Sequence, residues 1–266
     1  MKDNELKKVL LNSDDYIGNI YIFPGIGSHV LEFRNIAKKL APDWNVVGIM
    51  YPAYTGDDRV YKSIPDLANY IYQKTDFKIE NTVFIGHSFG GLVAYEISRI
   101  FNLKEQKIPI ILLDSFVHNH KINQPFMIRF NCKLQKRLCQ KYSLKKTITK
   151  IAKLKFLFKI TKQKNNRMRS KKTQSIKKFN SNVNEFFYSY NPSYDSILIY
   201  LIKSDRYFFY NVLSDDYGWS QAGNVVYVSS SEGGHASLIS KQNNVSLIKN
   251  LKNVLSNIII SNDVIN

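Results

Sequence analysis

Residues 83–91 read Val83-Phe84-Ile85-Gly86-His87-Ser88-Phe89-Gly90-Gly91, an apolar β-branched run that leads into a Gly-x-Ser-x-Gly motif. A helix-compatible segment follows directly. A strand, this motif and a helix in that order form a nucleophile elbow, a tight turn that raises a serine hydroxyl above the edge of a sheet. Gly86 and Gly90 stand where a β-carbon would crowd the strained backbone around Ser88. The stretch therefore predicts a hydrolase-type serine nucleophile in an α/β fold.

Apolar runs and helix-compatible segments alternate on both sides of the motif. Strands are predicted at residues 19–23, 45–50, 82–86, 109–113, 197–202 and 225–229, and helices at residues 63–74, 89–101 and 245–259. A further helix, capped by Ser28, is expected to end near Leu40. Because the strands are apolar throughout instead of alternating in polarity, both faces of the sheet must be covered. The pattern indicates a mostly parallel α/β sheet.

The positive charge of the chain is concentrated in one segment. The formal net charge is +17, and residues 115–184 hold 20 of the 38 Lys and Arg residues and none of the 21 acidic residues. Codon bias can raise a lysine count, but it does not readily remove every acid. Apolar residues at helical spacing predict helices in this segment: Leu144, Ile148, Ile151, Leu154 and Phe158. We expect an α/β core of residues 1–115 and 185–266 with residues 116–184 inserted as a helical, basic lid.

Several classes of protein are disfavoured by composition. Two cysteines, Cys132 and Cys139, cannot form a disulfide framework and are expected to be reduced packing residues. His118 and His120 form a His-x-His pair, but no carboxylate or thiol close in sequence completes a metal site. The N-terminal residues carry acids, and no apolar run approaches the ~20 residues that span a membrane. A cytoplasmic protein without a bound metal is expected.

A serine hydroxyl becomes a good nucleophile only when a base removes its proton, and that base needs a third group to fix its tautomer. In α/β-hydrolases these residues follow the chain order Ser, acid, His, and Ser88, Asp114 and His235 stand in this order. Asp114 ends an apolar strand, so its carboxylate should emerge at the carboxyl edge of the sheet beside the elbow. The alternative is that Asp114 only caps the following turn.

His235 follows the pair Gly233-Gly234, which allows a loop to fold over and present the imidazole to the serine. The alternative is a histidine of a surface loop. Asp205, after the strand at residues 197–202, is the alternative acid, because some hydrolases place the acid one strand later.

A tetrahedral oxyanion requires backbone N–H donors that are already in place. Phe89 supplies the amide after the nucleophile. The second donor is expected from the loop Pro24-Gly25-Ile26-Gly27, where glycines allow close approach of the backbone, and we assign it to Ile26.

With these residues placed, the chain resembles the thioesterase family of polyketide, nonribosomal peptide and fatty-acid synthases, in a stand-alone, type II-like form. The resemblance rests on four stretches: Phe23-Pro24-Gly25-Ile26-Gly27, Gly86-His87-Ser88-Phe89-Gly90-Gly91-Leu92-Val93-Ala94-Tyr95-Glu96, Leu112-Leu113-Asp114-Ser115, and Trp219 followed by Gly233-Gly234-His235. It covers residues 19–115 and 197–240. The region between them matches poorly and corresponds to the variable lid of the family.

The resemblance implies an α/β-hydrolase fold and the release of an acyl, polyketide or peptide chain from a phosphopantetheine carrier or from acyl-CoA. Ser88 would take the acyl group, His235 would relay protons, and water or an internal nucleophile would release the product. No bound cofactor is implied, because the phosphopantetheine arm arrives with the carrier.

The basic lid fits an acidic acyl or peptidyl carrier protein or synthase module, which it would attract in a salt-sensitive way. A different use is open, because residues 145–164 alternate lysines with apolar residues, as in a helix that lies on an anionic membrane. The alternative function is therefore a membrane-docking lipid or ester hydrolase. A nucleic-acid partner is disfavoured by the lack of a recognised motif and by sparse aromatic interleaving. For the basic lid, the remaining alternative is a solvated face without a partner. For the whole chain, the remaining alternative is a non-catalytic binding module.

Overall fold

A computed structural model describes residues 6–12, 17–117, 171–187, 190–206 and 214–263. Within these ranges the strands are β1 (Lys8–Leu10), β2 (Gly18–Phe23), β3 (Trp44–Ile49), β4 (Thr82–His87), β5 (Ile110–Leu113), β6 (Leu198–Arg206) and β7 (Asn224–Gly234). They form one sheet in the order β1-β3-β2-β4-β5-β6-β7. The β1 strand is antiparallel to β3, and the other neighbouring strands are parallel. The predicted mostly parallel sheet is confirmed.

Helices cover both faces of this sheet. They are α1 (Arg34–Leu40), α2 (Ile64–Gln73), α3 (Phe89–Asn102), α4 (Lys171–Phe187) and α5 (Asn244–Asp263). The apolar side chains of α1 and α5 belong to one buried cluster, and those of α2, α3 and α4 belong to the other. In β2, Ile20 and Ile22 enter the first cluster, whereas Tyr21 and Phe23 enter the second. Because successive side chains of a strand point to opposite faces, a strand covered on both faces must be apolar throughout.

Two local features differ from the sequence-based expectation. The antiparallel edge strand β1 is only three residues long and carries no recognisable pattern. The predicted cap Ser28 was wrong, because His29 caps a 3₁₀ helix at Val30–Phe33, and α1 begins only afterwards. The His29 Nδ1 atom accepts a hydrogen bond from the Leu31 amide at 3.2 Å. A histidine ring therefore takes the place that a serine hydroxyl usually has.

The α4 helix is held to the core through the main chain of residues 56–61. Its Ser175, Lys178 and Asn182 side chains each hydrogen-bond to backbone atoms of that loop. Asn182 does so twice, because it accepts from the Tyr61 amide at 2.9 Å and donates to the Tyr61 carbonyl at 2.8 Å. These bonds fix the position of α4 beside the carboxyl edge of the sheet.

The predicted boundary between lid and core at residue 184 falls inside α4, which runs across it. Residues 118–170 lie outside the described residues, and with them lie His118, His120, both cysteines and the amphipathic segment at residues 145–164. The division into core and lid therefore stays a prediction. None of the helices described is long and apolar enough to cross a membrane.

Candidate active site

Ser88 lies in a strained turn between β4 and α3. Its φ and ψ are 53° and −123°, outside the regions that ordinary residues occupy, at a cost on the order of 1–3 kcal/mol. The two glycines of the motif are required by close backbone packing. A β-carbon on Gly86 would lie 2.3 Å from the Gly91 Cα atom, and one on Gly90 would lie 2.0 Å from the Phe23 carbonyl oxygen. The motif thus presses the elbow against β2 and raises the serine at the sheet edge.

The structure brings His235 to Ser88 across 147 residues of chain. The His235 Nε2 atom lies 2.8 Å from the Ser88 Oγ atom, and its Nδ1 atom lies 2.7 Å from the Asp114 Oδ2 atom. Since a carboxylate only accepts hydrogen bonds, Nδ1 carries the proton and Nε2 is the acceptor for the serine hydroxyl. The strand before His235 continues to Gly234, which is longer than the sequence pattern indicated.

Asp114 follows the last residue of β5 and is buried, with a positive φ of 46°. Besides His235, its carboxylate accepts hydrogen bonds from the Ser204 amide at 2.8 Å, the Ser204 hydroxyl at 3.0 Å and the Tyr217 hydroxyl at 3.3 Å. Burial alone raises the pKa of the Asp114 carboxyl, but the hydrogen bonds from His235 and Ser204 outweigh burial and hold this pKa below its ordinary value. Asp114 is therefore a carboxylate at neutral pH.

The alternative acid Asp205 has a different position. Its side chain is exposed, and its Oδ1 atom accepts a hydrogen bond from the Gly233 amide at 2.8 Å. Asp205 thus contacts the backbone of the segment that leads to His235, whereas the imidazole itself contacts Asp114.

The Ile26 and Phe89 amides lie on the two segments that meet at Ser88. Ile26 is in a turn closed by a hydrogen bond from the Ser28 amide to the Gly25 carbonyl at 3.2 Å. A β-carbon on Gly25 would lie 3.2 Å from the Ser88 Cβ atom, so this loop passes directly beside the serine. Neither amide donates a hydrogen bond to any other residue in the described part of the chain. Two free donors are thus available next to the nucleophile.

Residues that the sequence did not single out support this arrangement. His87 is buried, and its Nε2 atom donates to the His235 carbonyl at 2.9 Å. Burial, together with the neighbouring His235, lowers the pKa of His87 to about 4, so that its ring is neutral. The only sequence signal for this role was its place next to Ser88, and that place does not reveal a contact 148 residues away.

Aromatic side chains form one wall of the site. The Phe116 ring lies 6.5 Å from the His235 ring and 6.1 Å from the Phe187 ring of α4. Phe187 in turn lies 6.0 Å from Phe89. The last turn of α4 therefore reaches the neighbourhood of the nucleophile.

The arrangement has the parts that nucleophilic catalysis needs. Ser88 can give its proton to His235, Asp114 can orient the imidazole, and the Ile26 and Phe89 amides make no hydrogen bond to the residues described. No group of three or more metal-ligating side chains is present in the ranges that the structure describes.

Known thioesterases resemble this chain in sequence and in fold. Residues 19–114 match the family model described as Thioesterase domain. Among solved structures, the Vlm2 thioesterase domain superimposes with a TM-score of 0.64 at 16% identity and covers 94% of this chain and 98% of its own. The NocB thioesterase domain from the nocardicin cluster, solved as a covalent complex with a fluorophosphonate nocardicin G analog, gives 0.57 at 14% identity, covering 90% and 95%.

A third structure, the RedJ thioesterase from the prodiginine biosynthetic pathway in Streptomyces coelicolor, has a TM-score of 0.57 at 14% identity and covers 88% of this chain and 89% of its own. At these identities the structural likeness shows the shared α/β-hydrolase fold. Together with the family match and the Ser88 elbow, it identifies the chain as an enzyme of the serine-hydrolase type.

Proposed function

We propose that this chain, whose residues 19–114 match the family model described as Thioesterase domain, releases an acyl, polyketide or peptide chain from a thioester. The thioester would be carried on the phosphopantetheine arm of a carrier protein or on coenzyme A. The hydrogen-bonded series from Ser88 through His235 to Asp114 is the observation that carries the proposal. The substrate class is supported by the solved relatives, since RedJ is named for a biosynthetic pathway and Vlm2 was solved with a bound dodecadepsipeptide.

In the proposed acylation step, the Ser88 Oγ atom attacks the thioester carbonyl carbon while His235 Nε2 removes the hydroxyl proton. The carbonyl π electrons move to oxygen, and the Ile26 and Phe89 amides stabilise the oxyanion. When the tetrahedral intermediate collapses, the C–S bond breaks and the sulfur leaves with the proton from His235. The product is an ester on Ser88 and a free pantetheine thiol. No bound cofactor takes part.

In the second step, a water molecule attacks the ester while His235 removes one of its protons. Collapse of this intermediate breaks the bond to the Ser88 Oγ atom, which takes the proton back from His235 and releases a carboxylic acid. A hydroxyl or amine within the bound chain can attack in place of water, and the same step then gives a cyclic product. Asp114 stays ionised throughout and stabilises the imidazolium that forms twice in each cycle.

The proposed partner is an acidic carrier protein or synthase module. The charge balance of the chain supports it, because residues 115–184 carry 20 basic and no acidic residues. In the described part of this segment, Lys172 and Lys177 of α4 are exposed, and α4 reaches the site through Phe187. A positive surface beside the site would raise the local concentration of an acidic carrier in a salt-dependent way.

The proposal is tested with one acyl group presented as a carrier thioester, as acyl-CoA and as a simple oxygen ester. Wild-type protein should release free acid from the thioesters and show an acyl adduct on Ser88 by intact-mass analysis. Ser88→Ala should lose at least about 10³-fold in kcat. Ser28→Ala is the matched control, because the Ser28 hydroxyl makes no hydrogen bond to the residues described and only its backbone closes the nearby turn. Turnover of the oxygen ester alone would contradict the thioesterase assignment.

A further inference from the structure

Tyr51 contacts both segments that carry the predicted oxyanion donors. It follows β3 directly and is 1% exposed. Its hydroxyl donates a hydrogen bond to the Pro24 carbonyl oxygen at 2.8 Å, and its ring lies 6.0 Å from the Phe89 ring. A single buried side chain therefore contacts both the loop that carries the Ile26 amide and the residue that supplies the other amide.

We propose that Tyr51 is a positioning residue that holds the loop Pro24–Gly27 in the conformation in which the Ile26 amide can stabilise an oxyanion. This inference rests on the proposed function, because it assigns Tyr51 a role in the same reaction. It goes beyond that function by assigning a role to a residue whose hydroxyl bonds the backbone of the loop and not the Ser88 hydroxyl.

The loop depends on this contact because of its composition. Gly25 and Gly27 give it freedom that other residues would remove, and Gly27 has a φ of 79°. Within the described part of the chain, the Tyr51 hydroxyl is the one side-chain group that hydrogen-bonds to the backbone of residues 24–27. Pro24 contributes no N–H of its own, so its carbonyl is the available attachment point at the start of the loop. The bond therefore limits rotation of the peptide next to Gly25.

The hydroxyl is suited to this role as a permanent donor. Burial, reinforced by neighbouring Tyr54, raises the pKa of Tyr51 well above its ordinary value, so the phenol keeps its proton. The Tyr51 ring also packs against the Phe179 ring of α4, with 5.4 Å between the ring centroids. Tyr51 thus contacts both α4 and the oxyanion loop.

An oxyanion donor contributes mainly in the transition state, because its best geometry is with the oxyanion and not with the ground-state carbonyl. Loss of its positioning should therefore lower kcat and leave KM almost unchanged. Loss of packing would instead lower the amount of folded protein, and it would not weaken the binding of a tetrahedral analogue to the sites that remain folded.

Tyr61 provides a matched control in the same cluster. It is 2% exposed, its ring lies 6.2 Å from the same Phe179 ring, and its hydroxyl is buried without a hydrogen-bond partner among the described residues. Tyr61→Phe therefore removes a comparably buried oxygen from the same aromatic cluster without releasing the loop.

The experiment compares wild type, Tyr51→Phe, Tyr61→Phe and Ser88→Ala on one acyl thioester. In the three proteins that keep Ser88, active sites are counted by fluorophosphonate labelling taken to completion below the unfolding temperature, so that unfolded molecules do not enter the rates. Ser88→Ala has no serine to label, and its rate is divided by the concentration of folded protein. Tyr51→Phe should lose roughly 10- to 100-fold in kcat with KM within about 2-fold of wild type. Its affinity for a trifluoromethyl ketone of the same acyl chain should fall by a similar factor. Tyr61→Phe should match wild type in all three quantities.

Two outcomes are kept apart by this design. If wild type does not cleave the thioester, or if Ser88→Ala still does, the proposed function is wrong. If wild type is active and Ser88→Ala is not, but Tyr51→Phe equals Tyr61→Phe in kcat and in ketone affinity, the role of Tyr51 is overturned and the function stands. A fall in kcat with unchanged ketone affinity also overturns the positioning role.

Discussion

The Nδ1 atom of His235 lies 2.7 Å from the Oδ2 atom of Asp114, although 121 residues separate the two in the chain. The contact forms at the edge of the sheet where β5 and β7 both end. It fixes the tautomer in which Nε2 is free to accept the proton of Ser88.

The carboxylate pair Asp114 and Asp205 offers a direct test of this contact. Asp114→Asn should lower kcat by about 10³- to 10⁴-fold, because an amide at this position favours the wrong imidazole tautomer. Asp205→Asn should lower kcat by less than about 3-fold, because the amide oxygen can still accept the hydrogen bond from Gly233. Thioester hydrolysis by both variants is the measurement. A larger loss in Asp205→Asn than in Asp114→Asn would exclude Asp114 as the acid.

The buried ring of His87 predicts a loss of stability in mild acid. Its pKa is about 4 in the folded protein, against about 6.5 in an unfolded chain. Between these values the unfolded state binds more protons, so the free energy of unfolding falls as the pH drops from about 6.5 to about 4. This difference in the pKa of His87 can lower the free energy of unfolding by at most about 3 kcal/mol.

His87→Gln removes this titration and keeps an amide donor for the His235 carbonyl. We expect its unfolding free energy, from urea titrations at about pH 7 and about pH 4.5, to fall less than that of wild type. The facing groups His235 and Asp114 are unchanged in the variant, so their contributions largely cancel in the comparison. Equal losses in both proteins would show that His87 does not titrate in this window.

The exposed lysines of α4 should govern the encounter with an acidic carrier. Lys172→Gln/Lys177→Gln should lower kcat/KM for a carrier thioester by roughly 2- to 5-fold at low salt and make its salt dependence shallower. Turnover of a small neutral thioester should not change. The matched control is Lys249→Gln/Lys252→Gln on α5, at the opposite face of the sheet, where the loss of two exposed lysines should not change turnover of the carrier thioester. Equal effects of the two pairs would count against steering by α4.

The close packing of the elbow predicts an unusually large fall in the free energy of unfolding when Gly90 is replaced. A β-carbon there would lie 2.0 Å from the Phe23 carbonyl oxygen, so Gly90→Ala should cost more than about 4 kcal/mol or yield no folded protein. Gly56→Ala is the control, because Gly56 has a φ of 91° but nothing within 4 Å of the added carbon. Gly56→Ala should lower the free energy of unfolding, measured by chemical denaturation, by about 1 to 2 kcal/mol. Similar costs at both positions would contradict the packing of the elbow against β2.

The features that the sequence predicted are those with a local signal. The elbow is a motif of five consecutive residues, and Asp114 and His235 stand at the ends of apolar strands in a set chain order. The mostly parallel sheet followed from strands that are apolar on both faces. These signals lie in short stretches and in the order of residues along the chain, so they can be recognised without knowing how the elements pack.

The features that the sequence did not reveal are contacts between distant segments. Tyr51 binds a carbonyl 27 residues away, and Ser204 binds a carboxylate 90 residues away. Neither Tyr51 nor Ser204 stands in a sequence pattern that marks it as functional. Their partners are a backbone carbonyl and a buried carboxylate, which only the folded structure brings close to them. The β1 strand has a related difficulty, because a three-residue edge strand exists only through its pairing with β3.

The attachment of α4 to the backbone of residues 56–61 has a consequence for how this protein can be changed. Main-chain atoms stay the same whatever side chains the loop carries, so the loop can vary in sequence while Asn182 keeps both of its bonds. An engineer who replaces the preceding segment therefore needs to retain the three polar residues of α4 that make these bonds, together with the apolar side chains of α4 that pack into the core.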